Sequence, residues 1–159
     1  MKAKAPKPDN YAMDKEEKIE LDKKEFKDLM ILQSNVKEQP DLYMKETVDA
    51  INTFKEEYNK VKENPAQKNE RFTHYCSFLA HVTNIFPKDL KFLADFLYEL
   101  LLNYGNIMNP HLRLKIVKNV ILMRNKGTVD PLDALNFFFK LLLIKDKEMR
   151  QTIINHIIQ

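Results

Sequence analysis

Two stretches, Tyr104-Gly105-Asn106-Ile107-Met108-Asn109-Pro110 and Lys126-Gly127-Thr128-Val129-Asp130-Pro131, contain the only two glycines of the chain and decide how it is built. In each, a glycine follows an apolar pattern of helical period, and an Asn-Pro or Asp-Pro pair comes a few residues later. Glycine enters the left-handed conformation that closes a helix at no steric cost, Asn and Asp cap the next helix through a side-chain oxygen, and Pro presets its first φ. Both stretches therefore predict a helix end, a short turn and a new helix. With its glycines spent on corners, the chain has none left for a phosphate-cradling loop.

Working outward, Leu90, Leu93, Ala94, Leu97, Leu100, Leu101 and Tyr104 predict a helix from 87 or 88 to 104. Further helices are predicted over 110–126, 131–144 and from 147 to the chain end behind an Asp146 cap. Toward the N-terminus, Phe26, Leu29, Met30 and Leu32 place a helix at 24–39, stopped by Pro40. Asp41 is read as the cap of a longer helix that buries Met44, Val48, Ile51, Phe54, Tyr58 and Val61, with Glu56 and Lys60 paired on its outer side. A third helix, 69–85, buries Phe72, Tyr75, Cys76, Leu79 and Val82 before the Phe86-Pro87 corner. No segment alternates like a strand.

The helix-opening prolines at 87, 110 and 131 recur once per helix and turn, so a helix pair takes about 40–47 residues, the period of HEAT and armadillo units. The expected fold is all-α, a solenoid of antiparallel helix pairs with about seven helices, rather than an ordinary bundle. The sixth helix supports this, because its polar stripe is only Asp133, Asn136 and Lys140 and it needs apolar neighbours on several sides. The last helix carries Met149, Ile153, Ile154 and Ile157 without a polar capping face. These four residues are the candidate docking end, for chain beyond Gln159 or for a partner. Residues 1–21, with Pro6, Pro8, Asn10 and little apolar content, are read as a flexible charged tail, and 22–159 as the helical-repeat domain.

At 44% hydrophobic and 31% charged over 159 residues, one domain is expected, and a net charge of +3 requires any basic partner surface to be local. The single cysteine, Cys76, cannot form an internal disulfide, and with no apolar N-terminal run an intracellular, reducing setting is expected. Apolar runs at 96–102 and 137–144 are interrupted by Glu99 and Lys140, short of the roughly 20 residues that span a bilayer, so no membrane partner is expected. His74, Cys76 and His81 are close in sequence, but His74 and His81 stand about 10 Å apart along a helix, too far to share a zinc ion. Without a nucleophile elbow or a His-Glu-x-x-His pattern, no catalytic residue, metal, cofactor or small-molecule ligand is assigned.

The segment 110–126 holds Arg113, Lys115, Lys118, Arg124 and Lys126 and no acid. On a helical wheel Lys115, Lys118, Asn119, Asn125 and Lys126 fall outside. Lys115, Lys118, Asn125 and Lys126 are the candidate contacts to RNA or a partner, with a plain solvated face as the alternative. Arg113 and Arg124 fall amid Ile116, Val117, Val120 and Ile121. With Asp146 and Arg150, they are the candidate residues that fix the register of stacked helices, since a guanidinium offers five donors in a rigid fork.

Several collinear motifs carry a family resemblance from about Leu29 onward. Phe86-Pro87-Lys88-Asp89-Leu90, Asn109-Pro110-His111-Leu112-Arg113 and Leu122-Met123-Arg124-Asn125-Lys126 are followed in order by Phe137-Phe138-Phe139-Lys140-Leu141, Asp146-Lys147 with Arg150, and His156-Ile157. In these the chain resembles the N-terminal helical region of the Sda family, the "severe depolymerization of actin" proteins. The resemblance implies a non-enzymatic scaffold of the nucleolus and nucleus that acts in assembly and export of the large ribosomal subunit. Its implied partners are the precursor particle and its assembly factors, with rRNA contact as one option. Family members are several times longer, so the chain corresponds to their N-terminal part or to a reduced form. The alternative reading is a helical protein–protein adaptor in protein transport or actin cytoskeleton organisation, without RNA contact.

Overall fold

The computed structural model describes residues 14–159. Its α-helices are α1 (Lys15–Glu38), α2 (Met44–Glu63), α3 (Glu70–Val82), α4 (Phe92–Tyr104), α5 (Pro110–Asn125), α6 (Pro131–Leu141) and α7 (Lys147–Ile157), with 3-10 turns at Pro40–Tyr43 and Gly105–Ile107. Side-chain oxygens cap four of them. Asn69 accepts from the Phe72 amide, Asn109 from His111 and Leu112, Asp130 from Leu132 and Asp133, and Asp146 from Met149, at 2.9–3.2 Å.

The two glycines act differently. Gly127 has φ 74°, and behind it the Thr128 amide reaches the Met123 carbonyl (3.0 Å) while the Gly127 amide reaches Arg124 (3.1 Å). This is a Schellman closure, and it needs the left-handed residue. Gly105 is right-handed, with φ −55°, and does not close α4 in the expected way. It is buried at the start of the 3-10 turn, where a Cβ would stand 2.8 Å from Ile144 Cδ1. Close approach between two corners is what requires it.

Further corrections concern helix ends. α1 begins at Lys15, so residues 15–21, assigned to the tail, form its first turns, with Glu16 and Glu17 at the positive end of the helix dipole. Residues 1–13, including Lys2, Lys4, Lys7 and both prolines of the expected tail, lie outside the described residues. Asp41 sits inside the 3-10 turn that precedes α2 and caps nothing there. α3 stops at Val82, and α4 starts at Phe92 instead of 87 or 88. Pro87 disfavours helical geometry at Phe86, and the chain turns through 87–91 before the α4 ladder begins. α6 ends at Leu141, where the Leu142 amide is shared between the Phe138 and Phe139 carbonyls.

The helices form two layers, α1, α3, α5 and α7 in one and α2, α4 and α6 in the other. Within a layer the neighbours run parallel. Cys76 faces Asn119 and Thr83 faces Thr128 along α3 and the end of α5, while Phe54 faces Phe92 and Tyr58 faces Phe96 along α2 and α4. Helices consecutive in the chain are antiparallel, which makes the fold an all-α solenoid. Phe72, Phe78, Leu79, Leu93, Leu97, Leu100, Ile116 and Phe138 fill the space between the layers, each worth about 1.5–3 kcal/mol on burial. The Tyr58 hydroxyl ties α2 to α4 by donating to the Phe96 carbonyl at 3.2 Å. On α6 the inner residues Phe137, Phe138 and Leu141 are buried, whereas Leu132 and Phe139, and Leu143 just past its end, remain exposed.

The glycine roles give a contrasting pair of expectations in urea denaturation. Gly127→Ala costs about 1–2 kcal/mol through backbone strain alone. Gly105→Ala costs about 1–3 kcal/mol through overpacking, and Ile144→Val, which removes the opposing methyl, recovers part of the second loss and none of the first.

Candidate partner-binding surface

The surface is built on α5 and the helices beside it. The inward side of α5 is apolar, with Leu112, Ile116, Val117, Val120 and Met123 buried, which fixes His111, Lys115, Lys118 and Asn125 on the solvent side. No carboxylate interrupts this strip within α5. Asn119, read from the wheel as an outer residue, is buried and donates to Cys76 Sγ at 3.4 Å. Burial pushes that thiol up to about 12, so Cys76 stays protonated. Lys126 is half-buried at the C-cap, on the edge of a cleft lined by Thr83, Asn84, Lys91 and Thr128. The four predicted contacts therefore divide, with Lys115, Lys118 and Asn125 on the open face and Lys126 at the corner.

Histidines edge this face without converging. His74 stacks on Phe26 (ring centroids 4.3 Å), His111 Nε2 approaches Glu70 at 3.5 Å, and His81 Nδ1 lies 2.7 Å from the Ser77 carbonyl. Burial holds the His74 imidazole below its ordinary range against the pull of Glu70, Glu25 and Asp22, and nearby Lys115 lowers it further. His156 is held down in the same way, by burial first and then by Arg124, which is half-buried in the groove lined by α5, α6 and α7.

Beneath the surface, Arg113 is the most heavily committed side chain of α5. Its Nη1 donates to the Gly105 carbonyl (2.7 Å), and its Nη2 and Nε donate to Asp146 Oδ2 (2.7 and 3.2 Å), with side-chain exposures of only 7% and 13% for the ion pair. Burial alone would raise the Asp146 carboxyl, but the Met149 amide and the Arg113 guanidinium hold it below the usual range. Arg150, the fourth residue assigned to register, has a buried Nε with no hydrogen-bond partner among the described residues.

The expected docking end needs correction. Met149 and Ile153 are fully buried against the chain's own core, because the period of α7 turns them inward. Ile154, at 42% exposure, and the partly covered Ile157 remain at the surface, joined by Ile158.

Another ion cluster was not singled out from the sequence. Glu57, with only 4% side-chain exposure, receives Arg71 Nη1 (2.8 Å), Lys60 Nζ (3.0 Å) and Asn69 Nδ2 (3.1 Å), and Arg71 also grips Glu25 of α1. Lys60 thus pairs with Glu57 instead of the expected Glu56. Desolvation opposes the charge on Glu57, and these three donors outweigh it and hold the carboxyl low. The signal was available, since position 57 falls on the helix face that carries Phe54, Tyr58 and Val61.

Two measurements follow from these charges. Arg113→Met strands a buried carboxylate and an unsatisfied carbonyl, and a loss of about 3–5 kcal/mol is expected in chemical denaturation. His74 and His156 bind protons more readily when unfolded, so their contribution is complete above pH 6.5 and declines as pH falls below it. A His74→Gln, His156→Gln variant removes the decline that sets in below about 6.5, leaving the loss below about 4.5 that comes from Glu57 and Asp146.

Comparison with known proteins agrees with this architecture. The family model described as "SDA1, HEAT repeat" matches residues 78–159. A "Protein SDA1 homolog" of Dictyostelium discoideum is 30% identical over 131 residues, covering 82% of this chain and 17% of the relative. Proteins of the same description from Drosophila melanogaster (32% identical) and Xenopus tropicalis (30%) each match over 127 residues, covering 80% of this chain and 18% of theirs. The chain thus spans less than a fifth of the length of these curated relatives. With more than half of its length matched by the family model and its helices stacked in two parallel-running layers, the chain belongs to the SDA1 family.

Proposed function

We propose that the chain is a non-enzymatic scaffold in large ribosomal subunit biogenesis and nuclear export, docking on precursor particles in the nucleolus and nucleus. The observation that carries this reading is the acid-free outer strip of α5, where Lys115 and Lys118 stand exposed on a rigid helix beside Asn125 and His111. Lysines held at fixed spacing meet a phosphodiester backbone by displacing its condensed counterions, and they do so with little sequence preference. This chemistry suits a protein that holds an RNA-rich particle without transforming it. Family membership supports the same reading.

The exposed apolar residues Leu132 and Phe139 on α6, with Leu143 just beyond its end, favour a second reading, a protein–protein adaptor in transport or cytoskeletal organisation that uses the other layer. Salt separates the two, since phosphate contacts weaken steeply with ionic strength and apolar contacts do not.

The test is sucrose-gradient sedimentation of the tagged chain from lysate at low and moderate salt, with fractions probed for large-subunit precursor rRNA. Co-sedimentation is expected, weakened by salt and reduced by about tenfold or more when Lys115, Lys118 and Lys126 are reversed to Glu. Unchanged co-sedimentation of that variant, with its melting intact, would sink the basic-face reading.

A further inference from the structure

The first helix pair carries a groove that neither the α5 strip nor the exposed side of α6 uses. α1 and α2 are joined by the turn at Pro40–Tyr43, and each packs against α3 more than against the other. Between them runs an open groove of about 600 Å³. Leu29, Leu32 and Ala50 give it an apolar lining, and Tyr75 reaches it from α3. Leu21, at 51% exposure, extends the lining away from the turn. From Leu21 to Leu32 the groove follows α1 for three turns, about 16 Å. Arg71 is bonded to Glu25 on one wall and to Glu57 on the other, which holds the walls at one spacing before anything binds.

The rim of this groove is acidic. Asp28 on α1 and Glu46 and Asp49 on α2 are exposed, and none of them enters an ion pair among the described residues. Glu25 is committed to Arg71, and Lys24 is the one cation among the lining residues. A segment lying in the groove therefore meets carboxylates on both flanks and apolar side chains beneath it. Such a rim repels an RNA phosphate. A wholly apolar segment would strip water from the carboxylates and give them no partner in return. Cationic flanks around an apolar stripe answer both demands.

We infer that the groove between α1 and α2 is a docking site for a basic amphipathic segment of a partner protein, helical over about three turns. Its apolar stripe covers Leu21, Leu29, Leu32 and Ala50, and its Lys or Arg side chains reach Asp28 from one flank and Glu46 and Asp49 from the other. The site goes beyond the α5 reading and does not depend on it, because the two surfaces lie on different helices and select opposite charges.

The probe is a fluorescein-labelled synthetic peptide of about fourteen residues, enough to follow the groove as a helix, with Leu at every third or fourth position and Lys between. Titrated with the full chain and read by anisotropy, it is expected to bind, and Asp28→Lys with Asp49→Lys is expected to weaken it by about tenfold or more. Asp95→Lys with Glu99→Lys makes the same charge change on α4 and should leave the affinity within about twofold, since charges beyond a Debye length are screened. Equal loss in the two double variants, or no loss in a folded groove variant, overturns the inference. Two altered probes leave the protein untouched. Replacing the lysines by Glu should abolish binding, and so should replacing the leucines by Ser. Binding that survives either change overturns the groove as an amphipathic site. Deleting residues 1–13 should not alter the affinity, because a gain of about tenfold would assign the groove to the chain's own first residues. Sedimentation equilibrium should show no dimer that Asp28→Lys with Asp49→Lys dissociates, since such a dimer would assign the groove to a second copy.

Discussion

The guanidinium of Arg113 joins three parts of the solenoid that no continuous helix connects. One nitrogen satisfies the carbonyl of Gly105 where α4 gives way to its corner, and two others hold Asp146 where α7 begins. Asp146 spends its second oxygen on the first turn of α7, so one carboxylate caps its own helix and anchors it to the neighbour. The pair is nearly dry, which makes it costly to disturb and sensitive to position. The Gly105 backbone lies against Ile144 because no Cβ intervenes, and the corner before α7 is thereby held against the end of α4. Packing at this point and the placement of α7 are one structural problem with one solution.

α5 presents different chemistry to solvent from α4 and α6. α5 offers lysines and amides with no acid between them, while α4 carries Asp95 and Glu99 and α6 carries Asp133 beside exposed Leu132 and Phe139. The contrast belongs to these three helices, since α1 and α2 mix both signs along their lengths. A near-neutral total charge conceals the acid-free strip of α5, because acids on the other helices balance its lysines.

Much of the fold was legible in the corners. Asn109-Pro110 and Asp130-Pro131 start helices as expected, and Gly127 is left-handed as its position after an apolar run requires. Gly105 shows the limit of that logic, since glycine serves close approach as well as positive φ, and only the neighbour's identity tells which. Asn119 and Glu57 show another limit. A polar side chain is expected in solvent at both, although position 57 lies on the apolar face of α2, and partners from other helices, Cys76 for one and Arg71 for the other, satisfy them when buried. Met149 and Ile153 were visible as apolar, yet whether an apolar face meets its own chain or another depends on where α5 and α6 lie. Residues 15–21 became helix with almost no burial, carried by charge placement and by continuity with α1.

The parallel running of like helices within each layer has a mechanical side. Every pairing between helices joins near neighbours in the chain, such as Glu25 with Arg71, Thr83 with Thr128 and Arg113 with Asp146. Among the described residues no hydrogen bond or ion pair joins α1 to α7. Such a stack has no closing seam, so small rotations at successive interfaces add up along its axis, and its curvature changes without breaking any one contact. The chain behaves as a short leaf spring. Bending is shared among the interfaces while each helix stays intact.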